Sequence, residues 1–216
     1  MIFITAEIGV NWDGDFDLAK EMMKNAKEAG CNAVKFQAFD EKIIGNHSEK
    51  TRLMKSAISE TNAETINELS KSVGIEWFCT PTYTEAVDFL APYVKRFKSR
   101  FADQNNERLL SKVFATKKQV IISTQNPEKF ASAIKTLYCI PKYPSNFDEI
   151  EFDKMPLFYG YSNHCKEKRA VVEAARRGAR MLEIHVTPSY DKAFIDNPVS
   201  FDMNDLGDII SQIRKF

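Results

Sequence analysis

Short β-type apolar runs alternate with helically spaced apolar residues along the whole chain. The runs predict strands over Phe3–Ile8, Ala33–Phe36, Ile75–Cys79, Val94–Lys98, Gln119–Ser123, Thr136–Ile140, Leu157–Tyr161 and Met181–Val186. Between them apolar side chains recur three and four residues apart, the spacing that lines one face of a helix. These sets are Ala19, Met22, Met23 and Ala26; Ile66, Leu69 and Val73; Leu110, Val113 and Phe114; and Val171, Ala174 and Ala175. A last helix carries Leu206, Ile209, Ile210 and Ile213. Gly30, Gly74 and Gly178 follow helical stretches, where a left-handed residue ends a helix at little steric cost.

Eight βα units in series predict parallel strands joined by helical crossovers. Eight units close a (β/α)₈ TIM barrel, whose functional sites lie at the C-terminal ends of the strands. An open doubly wound sheet is the alternative, but the Gly-rich phosphate turn that usually marks it is absent. At 216 residues the chain is shorter than the roughly 250 typical of such barrels, so several helices are expected to be short. The polar stretch Asp40–Glu60 is expected to be a long, mobile surface loop.

Polar residues interrupt the strand pattern in pairs: Lys35 and Gln37, Ser162 and His164, Glu183 and His185. Alternate residues of a strand point to one side, so each pair aims at one space. Buried charges and imidazoles are costly unless a metal, an anion or an opposite charge matches them. Polar residues near the predicted strand ends are therefore expected to share one pocket. His164 and His185, two of only three histidines, end the last two strands and suit a first-row divalent ion. Closure of the barrel would bring Glu7 beside them as a third ligand. Lys35 and Lys98, with the hydroxyls of Thr80, Ser123 and Ser162, form a candidate phosphate site. His47 lies in the polar stretch and is expected to be solvated.

Composition narrows the partners. Lys+Arg and Asp+Glu both number 30, so no net charge attracts nucleic acid or an anionic membrane. No window is apolar enough to span a bilayer, and the N-terminus lacks a basic leader, so a cytoplasmic protein of one domain over 1–216 is expected. Cys31, Cys79, Cys139 and Cys165 lack metal-type spacing and are expected to be reduced and buried, with Cys165, beside His164, the one to watch.

The opening AEIGVNWDGDFDLAKEMMKNAKEAGCNAVKFQ resembles the N-terminal segment of N-acetylneuraminate (sialic acid) synthases, the NeuB-type enzymes. The resemblance continues through TPTYTEAVDFL, VIIST, YCIPKYPSN, GYSNHCKEKRAVVEAARRGARMLEIHVT and DNPVSFDMNDL. It implies a barrel that condenses phosphoenolpyruvate with an N-acetylated hexosamine aldehyde of the N-acetylmannosamine type and releases phosphate. It further implies His164 and His185 as ligands of a divalent metal, usually manganese, with magnesium or cobalt as alternatives. Lys35, Lys98, Thr80, Ser123 and Ser162 would cradle phosphoenolpyruvate; Glu7, Gln37, Tyr143 and Asp196 would face the sugar. Glu7, Lys35 and Asp103 are the expected catalytic set.

The chain departs from the family pattern in several places. Trp12 replaces a histidine, Phe101 a serine, and Asp103 stands where an acid is expected. Gln125-Asn126 replaces Gly-Met, Ile140-Pro141 replaces Thr-Asn, and Asn163 replaces an aspartate. The family's C-terminal antifreeze-like (SAF) domain is not expected in this chain, leaving a homodimer or a separate SAF-type partner to complete the site. The alternatives are a related synthase using another sugar aldehyde and a non-catalytic barrel that binds an anionic metabolite or a partner.

Overall fold

The computed structural model describes residues 1–216. Eight parallel strands close a barrel in chain order: β1 (Phe3–Gly9), β2 (Ala33–Ala38), β3 (Glu76–Pro81), β4 (Arg96–Ser99), β5 (Gln119–Thr124), β6 (Lys135–Tyr138), β7 (Gly160–Asn163) and β8 (Met181–His185). The expected (β/α)₈ barrel is thus observed. Closure runs through β1 and β8, paired from Phe3 with Met181 to Glu7 with His185. On its other edge β1 pairs Glu7 with Lys35 of β2, so three polar residues of adjacent strands share one level.

The first helix, α1 (Phe16–Ala29), begins where the Asp15 carboxylate accepts the free N–H groups of Asp17 and Leu18. It ends at Gly30 in the left-handed conformation, and the spaced Ala19, Met22, Met23 and Ala26 are its buried face. Gly74 and Gly178 are left-handed in the same way. The strand residues Phe36, Phe78 and Phe97 are fully buried, each worth roughly 2–3 kcal/mol of transfer free energy. Gly160 is required by packing, because a Cβ there would stand 2.0 Å from the Met181 carbonyl oxygen on β8.

The stretch at 40–60 corrects its expectation. It forms two short helices, α2 (Glu41–Ile44) and α3 (Lys50–Ser56), and Ser56, Ala57 and Ile58 are buried. Trp12, fully buried, donates its indole N–H to the Ser56 carbonyl at 2.9 Å. Arg52 grips the Asp13 carboxylate through Nε at 2.8 Å and Nη2 at 2.6 Å, and donates from Nη1 to the Ala193 carbonyl at 2.5 Å. The segment is therefore fastened to the loops after β1 and β8.

Four further helices pack outside the barrel in chain order: α4 (Ala63–Val73), α5 (Thr84–Leu90), α6 (Glu107–Ala115) and α7 (Lys168–Arg176). A last helix, α8 (Met203–Ile213), follows β8 and buries all four of its spaced apolar residues. Two crossovers lack an α-helix. Residues 125–134 link β5 to β6 through a single 3₁₀ turn at Pro127–Lys129, a length at the lower limit of about 10–12 residues for a helical crossover. Residues 139–159 link β6 to β7 through 3₁₀ turns at Phe147–Glu149 and Phe152–Leu157. The second of these holds Pro156, which cannot donate to a ladder, and leaves Leu157 68% exposed, so β7 starts three residues later than expected. Phe114 likewise faces solvent, and Leu109 takes its place on the buried face of α6. No helix is long and apolar enough to cross a membrane.

Candidate active site

A cavity of about 440 Å³ opens at the C-terminal ends of the strands. Its floor is a network of buried charges. Lys35 Nζ stands 2.9 Å from Glu7 Oε2 and 3.7 Å from Glu183 Oε2, and donates to Thr80 Oγ1 at 2.9 Å. Lys98 Nζ stands 3.7 Å from Glu183 Oε1 and donates to Ser123 Oγ at 2.7 Å and to the Ser99 carbonyl at 3.1 Å. Ser162 donates to Glu183 Oε1 at 2.9 Å. Glu183 is therefore the carboxylate that bridges both ammoniums.

These contacts tune the charges. Burial alone would raise the Glu183 carboxyl, but Lys35, Lys98 and the Ser162 hydroxyl outweigh it and hold it down at about 2. Burial would depress the Lys35 ammonium, yet Glu183 and Glu7 together hold it above its ordinary value. Lys98 goes the other way: burial wins and its ammonium is lowered. Glu7 is raised, chiefly by burial, which suits a group that holds and returns a proton.

The two imidazoles lie next to this floor, with ring centroids 5.4 Å apart. His164 Nδ1 meets the Ile140 carbonyl at 2.7 Å. A carbonyl oxygen only accepts, so Nδ1 carries the proton and the lone pair of the neutral ring is on Nε2. Burial, followed by the neighbouring His185, pushes His164 down to about 3, so it is neutral at physiological pH. His185 Nδ1 stands 3.4 Å from Asp196 Oδ2 without forming a well-aligned hydrogen bond. Burial disfavours the His185 imidazolium, but Asp196 reverses the balance and raises it. No three histidine, cysteine, aspartate or glutamate side chains converge as a ready-made metal cage. The donor set is thus two imidazoles, one with a fixed tautomer, and a bound ion would need oxygen ligands from water or substrate. Buried Oε2 atoms of Glu7 and Glu183 and Nδ1 of His185 make no hydrogen bond of good geometry, the mark of a site shaped for something else to enter.

Higher in the cavity Gln37 donates to Glu7 Oε1 at 2.7 Å. Gly9, left-handed at φ +55°, allows this approach: a Cβ there would sit 3.1 Å from both Glu7 Oε1 and Asp196 Oδ2. The Tyr143 ring lies over His164, centroids 3.9 Å apart. Twelve of the thirteen candidate residues singled out in the sequence, Glu183 included, thus line one cavity. Asp103 does not line it; its carboxylate is taken by the guanidinium of Arg100.

Other lining residues carry no strand-end polar signal. Val10, Phe39, Ile43, Ile44 and Leu53 form an apolar wall, largely from α2 and α3 and the ends of β1 and β2. His47 is exposed but belongs to that wall, its Nδ1 accepting the Glu49 N–H at 3.1 Å. All four cysteines are free and buried, as expected, but Cys139 rather than Cys165 lines the cavity, with Sγ 3.7 Å from His164 Nδ1.

The description "NeuB family" matches this chain over residues 22–216. The chain belongs to the NeuB family. Among its relatives, an uncharacterized protein of Methanocaldococcus jannaschii is 31% identical over 98% of this chain and 70% of its own length. The N,N'-diacetyllegionaminic acid synthase of Legionella pneumophila is 29% identical over 98% of this chain and 71% of its own. Among solved structures, the N-acetylneuraminic acid (sialic acid) synthetase from Leptospira borgpetersenii, in complex with citrate, superposes with a TM-score of 0.89. That match has 26% identity and covers 99% of this chain and 83% of the other. As a NeuB barrel, the chain has its cavity at the strand ends where this architecture holds its functional sites.

Proposed function

We propose that this NeuB-family barrel is a sugar-acid synthase that joins phosphoenolpyruvate to an N-acetylated hexosamine aldehyde and releases phosphate. The observation that carries the reading is the meeting, in one cavity, of two buried lysines with three hydroxyls, a proton-holding glutamate and a histidine pair. In the reaction the CH2 carbon of phosphoenolpyruvate attacks the aldehyde carbon, forming one C–C bond while the aldehyde oxygen takes a proton. The positive charge is left on the neighbouring phosphate-bearing carbon, where water adds and loses a proton; the C–O bond of that adduct to phosphate then breaks, leaving a ketone. Lys35, Lys98, Thr80, Ser123 and Ser162 would hold the enol phosphate by charge and hydrogen bonds, fixed before the reaction begins. Glu7, held by Gln37, would move the proton at the aldehyde oxygen. His164 and His185 would hold a divalent ion such as manganese, which when bound supplies Lewis acidity toward that oxygen.

A second reading keeps the chemistry and changes the aldehyde. The apolar wall of Val10, Phe39, Ile43, Ile44 and Leu53 favours an acceptor with more apolar substituents than a plain hexosamine. One assay addresses both readings: phosphate release from phosphoenolpyruvate, with and without manganese, against a panel of N-acetylated and deoxy hexosamines. Release that needs both an acceptor and the metal is expected, and its loss in His185→Ala would tie the metal to the pair. No release with any acceptor would refute the synthase reading.

A further inference from the structure

We propose that Arg100 is a phosphate-recognising residue of this cavity, contributed by the end of β4. It stands two residues beyond Lys98, on the same side by strand alternation, and it lines the cavity. Charge balance is the first argument. Lys35 and Lys98 share the cavity lining with Glu7, Glu183 and Asp196, so the ammoniums there are already matched by carboxylates. A phosphate monoester dianion placed on that floor alone would meet no surplus of positive charge. Arg100 is the one guanidinium in the lining, and its counter-ion, Asp103, lies outside it.

Geometry is the second argument. Both hydrogen bonds of Arg100 go to Asp103, from Nε and from Nη2, the latter at 3.5 Å. Asp103 is buried and sits in a 3₁₀ turn that starts one residue after Arg100, so it fixes the plane of the guanidinium. Nη1 makes no hydrogen bond within the chain, and the side chain is 40% exposed. A planar fork held from behind with free N–H groups in front suits the oxygen pair of a phosphate, which an ammonium cannot grip in two directions. Asp103 then acts as a positioning residue. The phosphate could belong to the enol phosphate or to a phosphorylated acceptor; the chemistry is the same.

The inference rests on the proposed function for its choice of ligands, but binding can be measured without turnover. Calorimetric titrations of the full chain with inorganic phosphate, phosphoenolpyruvate, and an N-acetylhexosamine with and without a 6-phosphate separate the sources. Arg100→Ala is expected to weaken at least one phosphate ligand about tenfold or more, with partial recovery in Arg100→Lys. Asp103→Asn, which leaves the guanidinium but loosens its plane, should weaken the same ligand about threefold. Arg176→Ala, far out on α7, serves as the control and should change nothing. Loss confined to phosphoenolpyruvate and inorganic phosphate assigns the enol phosphate; loss confined to the 6-phosphate sugar assigns the acceptor. Affinities of Arg100→Ala within about twofold of the unaltered chain for every ligand, or no phosphate binding by that chain, would overturn the proposal. Absence of turnover with Arg100-dependent phosphate binding intact would overturn the synthase reading alone.

Discussion

Glu7 Oε2 and Lys35 Nζ stand 2.9 Å apart at the same level of neighbouring strands, and both side chains are closed to solvent. Lys35 also faces Glu183 Oε2 at 3.7 Å, so one ammonium compensates two carboxylates. Such a pair contributes little net stability as a pair, because both partners lost their hydration. Removing one partner is a different matter.

Lys35→Met would leave Glu7 and Glu183 facing each other without their shared cation. The variant is expected to lose about 3–5 kcal/mol in urea unfolding at neutral pH. Adding Glu7→Gln to it should return part of that loss, since Glu7 is the carboxylate left without a cation, whereas Glu183 keeps Lys98 at 3.7 Å. A Lys35→Met variant as stable as the unaltered chain would mean the floor is wetter than its burial indicates.

His164 sets a pH dependence of definite sign. Its folded-state value, about 3, lies below its ordinary 6.5, so the unfolded chain binds more protons between those values. Stability is therefore fully present above pH 6.5 and is lost as pH falls toward 3, with a slope of at most about 1.4 kcal/mol per pH unit. His185, raised by Asp196, contributes with the opposite sign: its share is present at low pH and fades as pH rises through its folded value. The informative measurement is thus the difference between the chain and His164→Gln, in chelator, across about pH 5 to 6.5, where ordinary carboxylates have largely finished titrating. The slope should shrink in the variant; an unchanged slope would show that the buried imidazole is not what drives it.

The barrel was legible because its signal is redundant. Most strands are apolar runs, seven of the eight carry a polar site residue near their ends, and glycine closes helices at Gly30 and Gly74. The pocket residues showed themselves because charges such as Lys35 and Glu183 are costly in an apolar strand unless they meet something. What escaped has the reverse character. Ile43 and Leu53 face the cavity from a segment whose Lys, Glu and Ser content looks like a solvated loop, and what orders it is tertiary: the Trp12 indole and the Arg52 grip. Asp103 was matched by position, but spacing could not reveal that its neighbour Arg100 would take its carboxylate. The two crossovers without an α-helix differ: the link after β5 is short, whereas the link over residues 139–159 has length enough but is taken up by 3₁₀ turns, one of them holding Pro156.

Two glycines with opposite surroundings test the packing. Gly160→Ala would drive a methyl group against the Met181 backbone carbonyl, 2.0 Å away, where no side chain can swing aside. It should cost about 3 kcal/mol or more and disturb the β7 end that carries Ser162 and His164. Gly207→Ala, inside α8 with nothing within 4 Å of the new Cβ, should instead stabilise by about 0.5–1 kcal/mol. Thermal unfolding of the two variants decides; equal effects would contradict the close approach of β7 and β8.

The α2–α3 segment provides the last test, because its fastening is separable from the core. Arg52 and Asp13 are each about 30% exposed, at 31% and 29%, so their bidentate pair is discounted by solvent and is worth about 1 kcal/mol or less. Trp12 and its bond to Ser56 remain when Arg52 is removed. Arg52→Ala should therefore leave global unfolding nearly unchanged while releasing α2 and α3 locally from the loops after β1 and β8. Hydrogen exchange at the amides of residues 41–56 should speed up about fivefold, the equivalent of that 1 kcal/mol, while amides of β1 and β2 keep their protection. Because Ile43, Ile44 and Leu53 supply the apolar wall, weaker acceptor binding with unaltered phosphate binding should accompany the faster exchange. Exchange that rises equally in the strands would show that Arg52 supports the whole fold rather than the cover of its mouth.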